Sequence, residues 1–197
     1  GSAQDDGLQL DEMHDYHFTY PDIGTTLQRF LALCKACGWR FTCVVGLDRL
    51  ARPLAEALAQ LLGVQHRFAD TVQADDLPLL VMAIGREAEL LDLAAERLPG
   101  KAVAFCLGLN WLRHNQRLPD LIGVIARGAC SAPWEPELRR LRSDGAPPEQ
   151  IDACLRRAAG EIVAATQHTH AEPTRERQLD YYCRHNRLRF TGAFEPA

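Results

Sequence analysis

Several things are missing from this chain of 197 residues. No apolar run approaches the roughly 20 residues that a membrane-spanning helix needs; "LPLLVMAIG", residues 77–85, is typical of the longest. The first residues hold neither a basic stretch nor an apolar core of the secretory type, so no signal peptide is expected, and Gly1-Ser2 reads as the remnant of a tag. Lysine is almost absent, 2 residues against 20 arginines, a bias of composition from which no mechanism follows. There is no internal repeat and no low-complexity tract. The seven cysteines are odd in number and sit in core-like segments such as "AFCLG". That fits buried thiols in a reducing, cytoplasmic compartment better than a disulfide framework. No G-x-S-x-G elbow is present, which argues against α/β-hydrolase chemistry. No H-E-x-x-H helix or double C-x-x-C marks a metal centre.

What is present suffices for a real core, since 47% of the residues are hydrophobic. The net charge of -4 argues against a general nucleic-acid binder. Charge is uneven along the chain. Residues 1–22 carry Asp5, Asp6, Asp11, Glu12, Asp15 and Asp22 and no Lys or Arg, whereas residues 175–189 carry five arginines against Glu176 and Asp180.

Hydrophobic spacing gives the organisation. Thr25 or Thr26 can cap a helix running to about Cys37, with Gly38 as its stop and Leu27, Phe30, Leu31 and Cys34 at the helical period. Then come "RFTCVVG" (40–46) as a strand, a helix over 48–62, and strands "VQHRFAD" (64–70) and "LPLLVMAIG" (77–85). A helix over 86–98 and strands "KAVAFCLG" (101–108) and "DLIGVIARG" (120–128) follow. This alternation predicts an α/β fold, a three-layer Rossmann-like sandwich with a mostly parallel five-stranded sheet. The pattern changes after Pro133, where helices over 149–165 and 174–186 predict a helical appendage. The expected division is an acidic, flexible arm over 1–22, the Rossmann-like α/β domain over 23–134 and a helical C-terminal appendage over 135–197.

In an open parallel sheet the carboxyl ends of the strands share one edge, and ligands bind there. That edge should collect Gly46, Asp48 and Arg49 after the first strand and Gly85 and Arg86 after the third. Gly108 and Asn110 should follow the fourth strand and Arg127 the fifth. Glycine lets a ligand approach the backbone. Helices starting near Asp48 and Arg86 would aim free N–H groups at an anion. Arg49, Arg86 and Arg127 can fork onto phosphate or carboxylate oxygens. Asn110 would orient the ligand and Asp48 would accept from a hydroxyl or amine. No catalytic residue is assigned.

Residues 44–107 resemble the first part of an NAD(P)-binding Rossmann domain. "VVGLDRLARPLAEALAQLLG" is similar to the phosphate-binding turn and its helix, and Asp70 falls where that family places an acid on the ribose. Two of the three glycines of G-x-G-x-x-G are replaced, by Asp48 and Ala51. Asp48 puts bulk and negative charge where pyrophosphate would lie, which argues against ordinary NAD(P) binding; no other cofactor is identified. The stretch "ARPLAEALAQLLG" also resembles the corresponding helix of type I phosphoribosyltransferases. That resemblance implies the same layered fold with a phosphorylated-ribose ligand. The family's acidic pair and Thr/Gly-rich loop are absent, and "AIGREAE" stands after the third strand instead.

Other clusters are weighed against packing. Cys34 and Cys37 share a helix face near that helix's C-terminal end, where the dipole raises a thiol pKa, so packing is the expected role. His14 and His17 with Asp11, Glu12 and Asp15, and His168 and His170 with Glu172, are metal-capable sets that no spacing motif backs, so no metal site is assigned. Tyr181, Tyr182, Arg184, His185, Arg187 and Arg189 mix aromatic and basic groups as single-strand nucleic-acid surfaces do, but Leu179, Tyr182 and Cys183 also make a packing stripe. The expected function is binding of a small anionic molecule, a nucleotide, phosphate or carboxylate, as sensor, regulator or degenerate enzyme. The alternatives are a protein- or nucleic-acid-interaction module acting through the basic last helix, and a metal-dependent enzyme using the histidines. A homodimer is compatible with all three.

Overall fold

The computed structural model describes residues 14–86, 89–110, 118–169, 176–177, 179–181 and 183. Its strands are β1 (Tyr16–His17), β2 (Cys43–Gly46), β3 (Gln65–Arg67), β4 (Pro78–Gly85), β5 (Val103–Asn110), β6 (Leu121–Ala126) and β7 (Cys130–Ser131). Its helices are α1 (Tyr20–Cys37), α2 (Arg52–Leu62), α3 (Glu89–Arg97), α4 (Glu135–Ser143) and α5 (Pro148–His168). Five strands form one sheet in the order β3-β2-β4-β5-β6, and every pairing in it is parallel. The expected α/β three-layer architecture is therefore present. The strand expected over 64–70 shortens to Gln65–Arg67 and runs into a 3-10 turn at Ala69–Thr71.

The two faces of the sheet hold separate cores, which is why the central strands read as continuous apolar runs. Val44, Val81, Phe105 and Leu107 share one core with Leu27 of α1, Leu54 and Leu58 of α2 and Ile162 of α5. Phe30 stacks on Phe105 within it at 5.0 Å between ring centroids. Val45, Leu80, Met82 and Cys106 point the other way and meet Leu91 and Ala94 of α3 and Leu98 just after it. A fully buried leucine contributes about 1.5–3 kcal/mol, so the apolar stripe of α2 is a principal fastening of that helix to the sheet.

Three local features depart from the sequence reading. α1 begins at Tyr20, well before the Thr25 or Thr26 cap, because Thr19 and Asp22 form a capping box. The Thr19 hydroxyl accepts the Asp22 N–H at 3.3 Å and the Asp22 carboxylate accepts the Thr19 N–H at 2.8 Å. Gly38 ends the helix as expected, at φ 67°. α4 was not expected at all. Finally, β1 pairs in parallel with β7, Tyr16 opposite Cys130, and the Asp15 carboxylate accepts the Ala129 N–H at 2.6 Å. Chain that composition assigns to the acidic arm thus supplies β1 and the first turn of α1.

α5 lies against both α1 and α2. Its Ala158, Ile162 and Val163 belong to the same buried core as Ile23 and Leu27. The approach to α1 is closest at Gly24, where a Cβ would stand 2.7 Å from the Ala165 carbonyl oxygen. Among the described residues, no helix is long and apolar enough to cross a membrane. The helix expected over 174–186 falls largely outside the described residues, as do Asp11, Glu12, His170 and Glu172. Gly24→Val is expected to force α1 off α5 and to lower the unfolding free energy by about 1–3 kcal/mol, read from the urea midpoint at unchanged m.

Candidate functional site

Strand order places a switch point in the sheet. From β2 the chain moves outward to β3, then crosses back to β4 on the other side of β2. Crevices at such reversals, outside the carboxyl ends of the strands, are where open α/β sheets hold ligands. A cleft of ≈ 300 Å³ lies there. Asp48, Arg49 and Leu50 line it from the β2–α2 turn, and Ile84 and Arg86 from the end of β4. Leu90 of α3 and Glu135, Leu138, Arg139 and Arg142 of α4 complete it.

α4 supplies the wall that the sequence reading missed. Its cleft-lining residues, at 135, 138, 139 and 142, follow the i, i+3, i+4, i+7 spacing of a single helix face. Two fastenings set its position. The Trp134 indole N–H donates to the Leu50 carbonyl at 3.0 Å, with the ring buried. Arg86 forks onto the Glu135 carboxylate: Nη2 donates to Oε2 at 2.9 Å, and Nη1 donates to Oε1. Nη2 also donates to the Cys130 carbonyl at 2.6 Å. Glu135 is only 5% exposed and takes a further hydrogen bond from Arg139 at 2.6 Å. Burial alone would raise its carboxyl pKa; the hydrogen bonds and charges of Arg86 and Arg139 outweigh this and hold it below the ordinary 4.5. The Glu135 hydrogen bonds likewise raise Arg86 above its ordinary value against the pull of burial.

The helix ends differ from expectation. α2 starts at Arg52, not Asp48, and the Asp48 carboxylate accepts the Ala51 N–H at 2.5 Å. The protein's own carboxylate therefore occupies a position at the electropositive end of α2 that an external anion would seek. Arg52 is engaged by Glu56 at 2.7 Å and Asp152 at 2.6 Å. α3 is described from Glu89, so Arg86 precedes that helix.

Of the residues expected on the rim, the structure brings Asp48, Arg49 and Arg86 into one cleft. Gly46 and Gly85 end β2 and β4, whereas Gly108 lies inside β5, which runs on to Asn110; the room all three leave is used by the protein itself. A Cβ would stand 3.2 Å from the Ala55 Cβ at Gly46, 2.8 Å from Leu109 Cδ1 at Gly85 and 2.7 Å from the Phe18 ring at Gly108. Phe18 follows β1, and the Gly128 N–H donates to the His14 carbonyl, so the residues around β1 cover the β5–β6 half of the edge. Asn110, paired beside Ala126, and the exposed Arg127 belong to that half and do not line the cleft. Asp70 sits exposed in the turn after β3, also away from the lining. Sequence reasoning missed Glu135, Arg139 and Arg142. The signal for them was Pro136 in a first turn flanked by Glu135 and Glu137, with Arg140 and Arg142 in the last turn, the charge order a helix dipole favours.

Among the described residues, no three His, Cys, Asp or Glu side chains converge as a metal site would require. His17 Nδ1 is hydrogen-bonded with Ser131 Oγ at 2.7 Å, His168 Nδ1 with its own helix at Ala164 O, and His14 lies 3.2 Å from Asp15.

Solved structures with this layered fold include phosphoribosyltransferases. A purine phosphoribosyltransferase from Pyrococcus horikoshii Ot3 aligns with 62% of this chain and 95% of its own at 15% identity, TM-score 0.52. A Helicobacter pylori xanthine-guanine-hypoxanthine phosphoribosyltransferase aligns over 67% and 99% at 17% identity, TM-score 0.54. A hypothetical protein from Neisseria gonorrhoeae, with ppGpp bound, aligns over 69% and 99% at 12% identity, TM-score 0.52. No protein-family model and no curated protein matches the sequence.

Arg86→Ala leaves Glu135 buried with Arg139 as its remaining ion-pair partner among the described residues, and a loss of about 2–3 kcal/mol is expected in chemical denaturation. The pH dependence has a definite sign. Because the folded-state pKa of Glu135 is lowered, its stabilisation is present above the ordinary 4.5 and is lost as pH falls through the lower folded value. The stability difference between wild type and Glu135→Gln should therefore be full at neutral pH and shrink progressively below about pH 4.5.

Proposed function

We propose that the cleft at the β2–β4 switch point binds a small, multiply anionic ligand bearing phosphate, such as a nucleotide or a sugar phosphate. One observation carries the reading: Arg49 from the β2–α2 turn and Arg139 and Arg142 from α4 line one crevice over the carboxyl ends of the strands. Arg49 and Arg142 are exposed and form no ion pair among the described residues. Arg86 is committed to Glu135 and Cys130 and forms a charged wall. Arginine forks match the tetrahedral oxygens of phosphate better than any other side chain. Two of the similar folds are phosphoribosyltransferases and a third holds ppGpp, which supports a phosphate-bearing ligand by analogy.

The acidic pair and Thr/Gly-rich loop that the phosphoribosyltransferase resemblance calls for are replaced by Ile84-Gly85-Arg86 at the end of β4. The reading is therefore ligand binding as a sensor, regulator or degenerate enzyme rather than phosphoribosyl transfer. Asp48 would accept a hydrogen bond from a ribose hydroxyl or a base amine beside the phosphates.

Thermal shift and calorimetry against ppGpp, nucleoside mono-, di- and triphosphates, ribose phosphates, pyrophosphate and dicarboxylates test this. A binder present at about 100 times its Kd stabilises by about 2.7 kcal/mol and raises Tm by several degrees. Arg49→Ala and Arg142→Ala should each weaken it about tenfold or more, as expected for losing a charged hydrogen bond, with binding that falls as salt rises. No response to any phosphate compound, or binding untouched by both substitutions, would sink the assignment.

A further inference from the structure

The sulfur atoms of Cys37, at the C-terminal end of α1, and Cys183, near the end of the chain, lie 3.8 Å apart although 146 residues separate them. We propose that these two thiols are a redox pair, oxidised by a hydroperoxide to a disulfide that fastens the chain's C-terminal segment to α1.

The rest of the thiol inventory sets this pair apart. Cys34, Cys43, Cys106, Cys130 and Cys154 are buried, whereas Cys183 is exposed and Cys37 is half-buried. The sequence pairs Cys34 with Cys37 on one helix face, and the structure separates them. Cys34 points into the core beside Leu27 and Phe30, and burial pushes its thiol up to about 12. Cys37 meets a thiol from a distant segment whose described residues, between 176 and 183, are helical. A disulfide holds its sulfurs at about 2.05 Å, so from 3.8 Å the two must come about 1.8 Å closer to bond. Burial, followed by the hydrogen bond with Cys183, raises the Cys37 thiol to about 11. The exposed Cys183 is therefore the group an oxidant reaches first, and Cys37 is the resolving thiol.

The chemistry balances in two steps. The Cys183 sulfur attacks the hydroperoxide: an S–O bond forms, the O–O bond breaks, and an alcohol leaves, or water when the oxidant is hydrogen peroxide. The Cys37 sulfur then attacks the Cys183 sulfenic acid, the S–S bond forms, the S–O bond breaks, and water leaves. Two thiols are oxidised by two electrons and one peroxide is reduced.

The position also matters. Gly38 caps α1 and β2 begins five residues later, so the pair lies at the amino edge of the sheet, opposite the arginine-lined cleft. The link does not depend on what that cleft binds.

The test uses the full chain, fully reduced and then freed of reductant, exposed to a few equivalents of hydrogen peroxide, alkylated and digested with trypsin without reduction. Cleavage after Arg29, Lys35, Arg40, Arg177 and Arg184 places Cys37 in peptide 36–40, Cys183 in peptide 178–184 and Cys34 in peptide 30–35. The expected product is peptide 36–40 disulfide-linked to peptide 178–184, with two of the seven thiols lost and both recovered on adding dithiothreitol. Cys183→Ser, a change at an exposed position, should leave no linked species and return all remaining thiols to the alkylating reagent. Oxidation of Cys183 that stops at the sulfenic or sulfinic acid would overturn the proposal. So would a link between Cys183 of two chains, or a link of Cys37 to Cys34.

Discussion

The fork between Arg86 and Glu135 is the constraint around which the carboxyl edge is built. It joins the residue that follows the central strand β4 to the first turn of α4 across 49 residues of sequence. The same guanidinium reaches the Cys130 carbonyl and so ties in β7. α4 is then linked onward to α5 through Glu137 and Arg157, 2.5 Å apart. A charge pair with its carboxylate buried gives little net stability compared with apolar packing, but it is costly to break. It fixes where α4 stands, and with α4 it fixes the depth and charge of the switch-point cleft.

That commitment changes which cations a ligand would meet. A residue immediately after a central strand looks from the sequence like the natural anion-binding group, yet its hydrogen-bonding capacity is largely spent on the fold. The arginines that remain toward solvent come from α4 and from the β2–α2 turn. Four arginines face two carboxylates around the cleft, and one of those carboxylates, Glu135, is already shared by Arg86 and Arg139. The positive character of the crevice therefore rests with Arg49 and Arg142.

The sheet was legible because its central strands are apolar on both faces, and α2 because its leucines keep a clean helical period. The start of α1 was hidden by composition: an acidic, polar stretch reads as a loose arm, although Thr19 and Asp22 stand at capping-box spacing. α4 was hidden by its polarity, since Leu138 and Leu141 alone are too short a stripe for periodicity to register, and only the order of its charges marks it. The partner of Arg86 could not be read at all. Glu135 is remote in sequence, and nothing local distinguishes an arginine that will meet a buried carboxylate from one that will meet phosphate. The glycines of the strand ends were read as openings for a ligand, whereas Ala55, Leu109 and Phe18 occupy those spaces. What a glycine admits is decided by tertiary packing, which a single sequence does not display.

The placement of α5 between α1 and α2 has a consequence for the order of synthesis. α1 is made well before α5, and Ile23 and Leu27 on its inner surface share their core with Ile162 of α5. Until that late segment emerges, a growing chain carries a sheet with one layer incomplete, and its apolar side waits in water. Such non-local closure slows folding and leaves the intermediate prone to stick to its neighbours. A nascent chain arrested short of α5 would thus be a natural client for holding chaperones, whereas the finished chain would not.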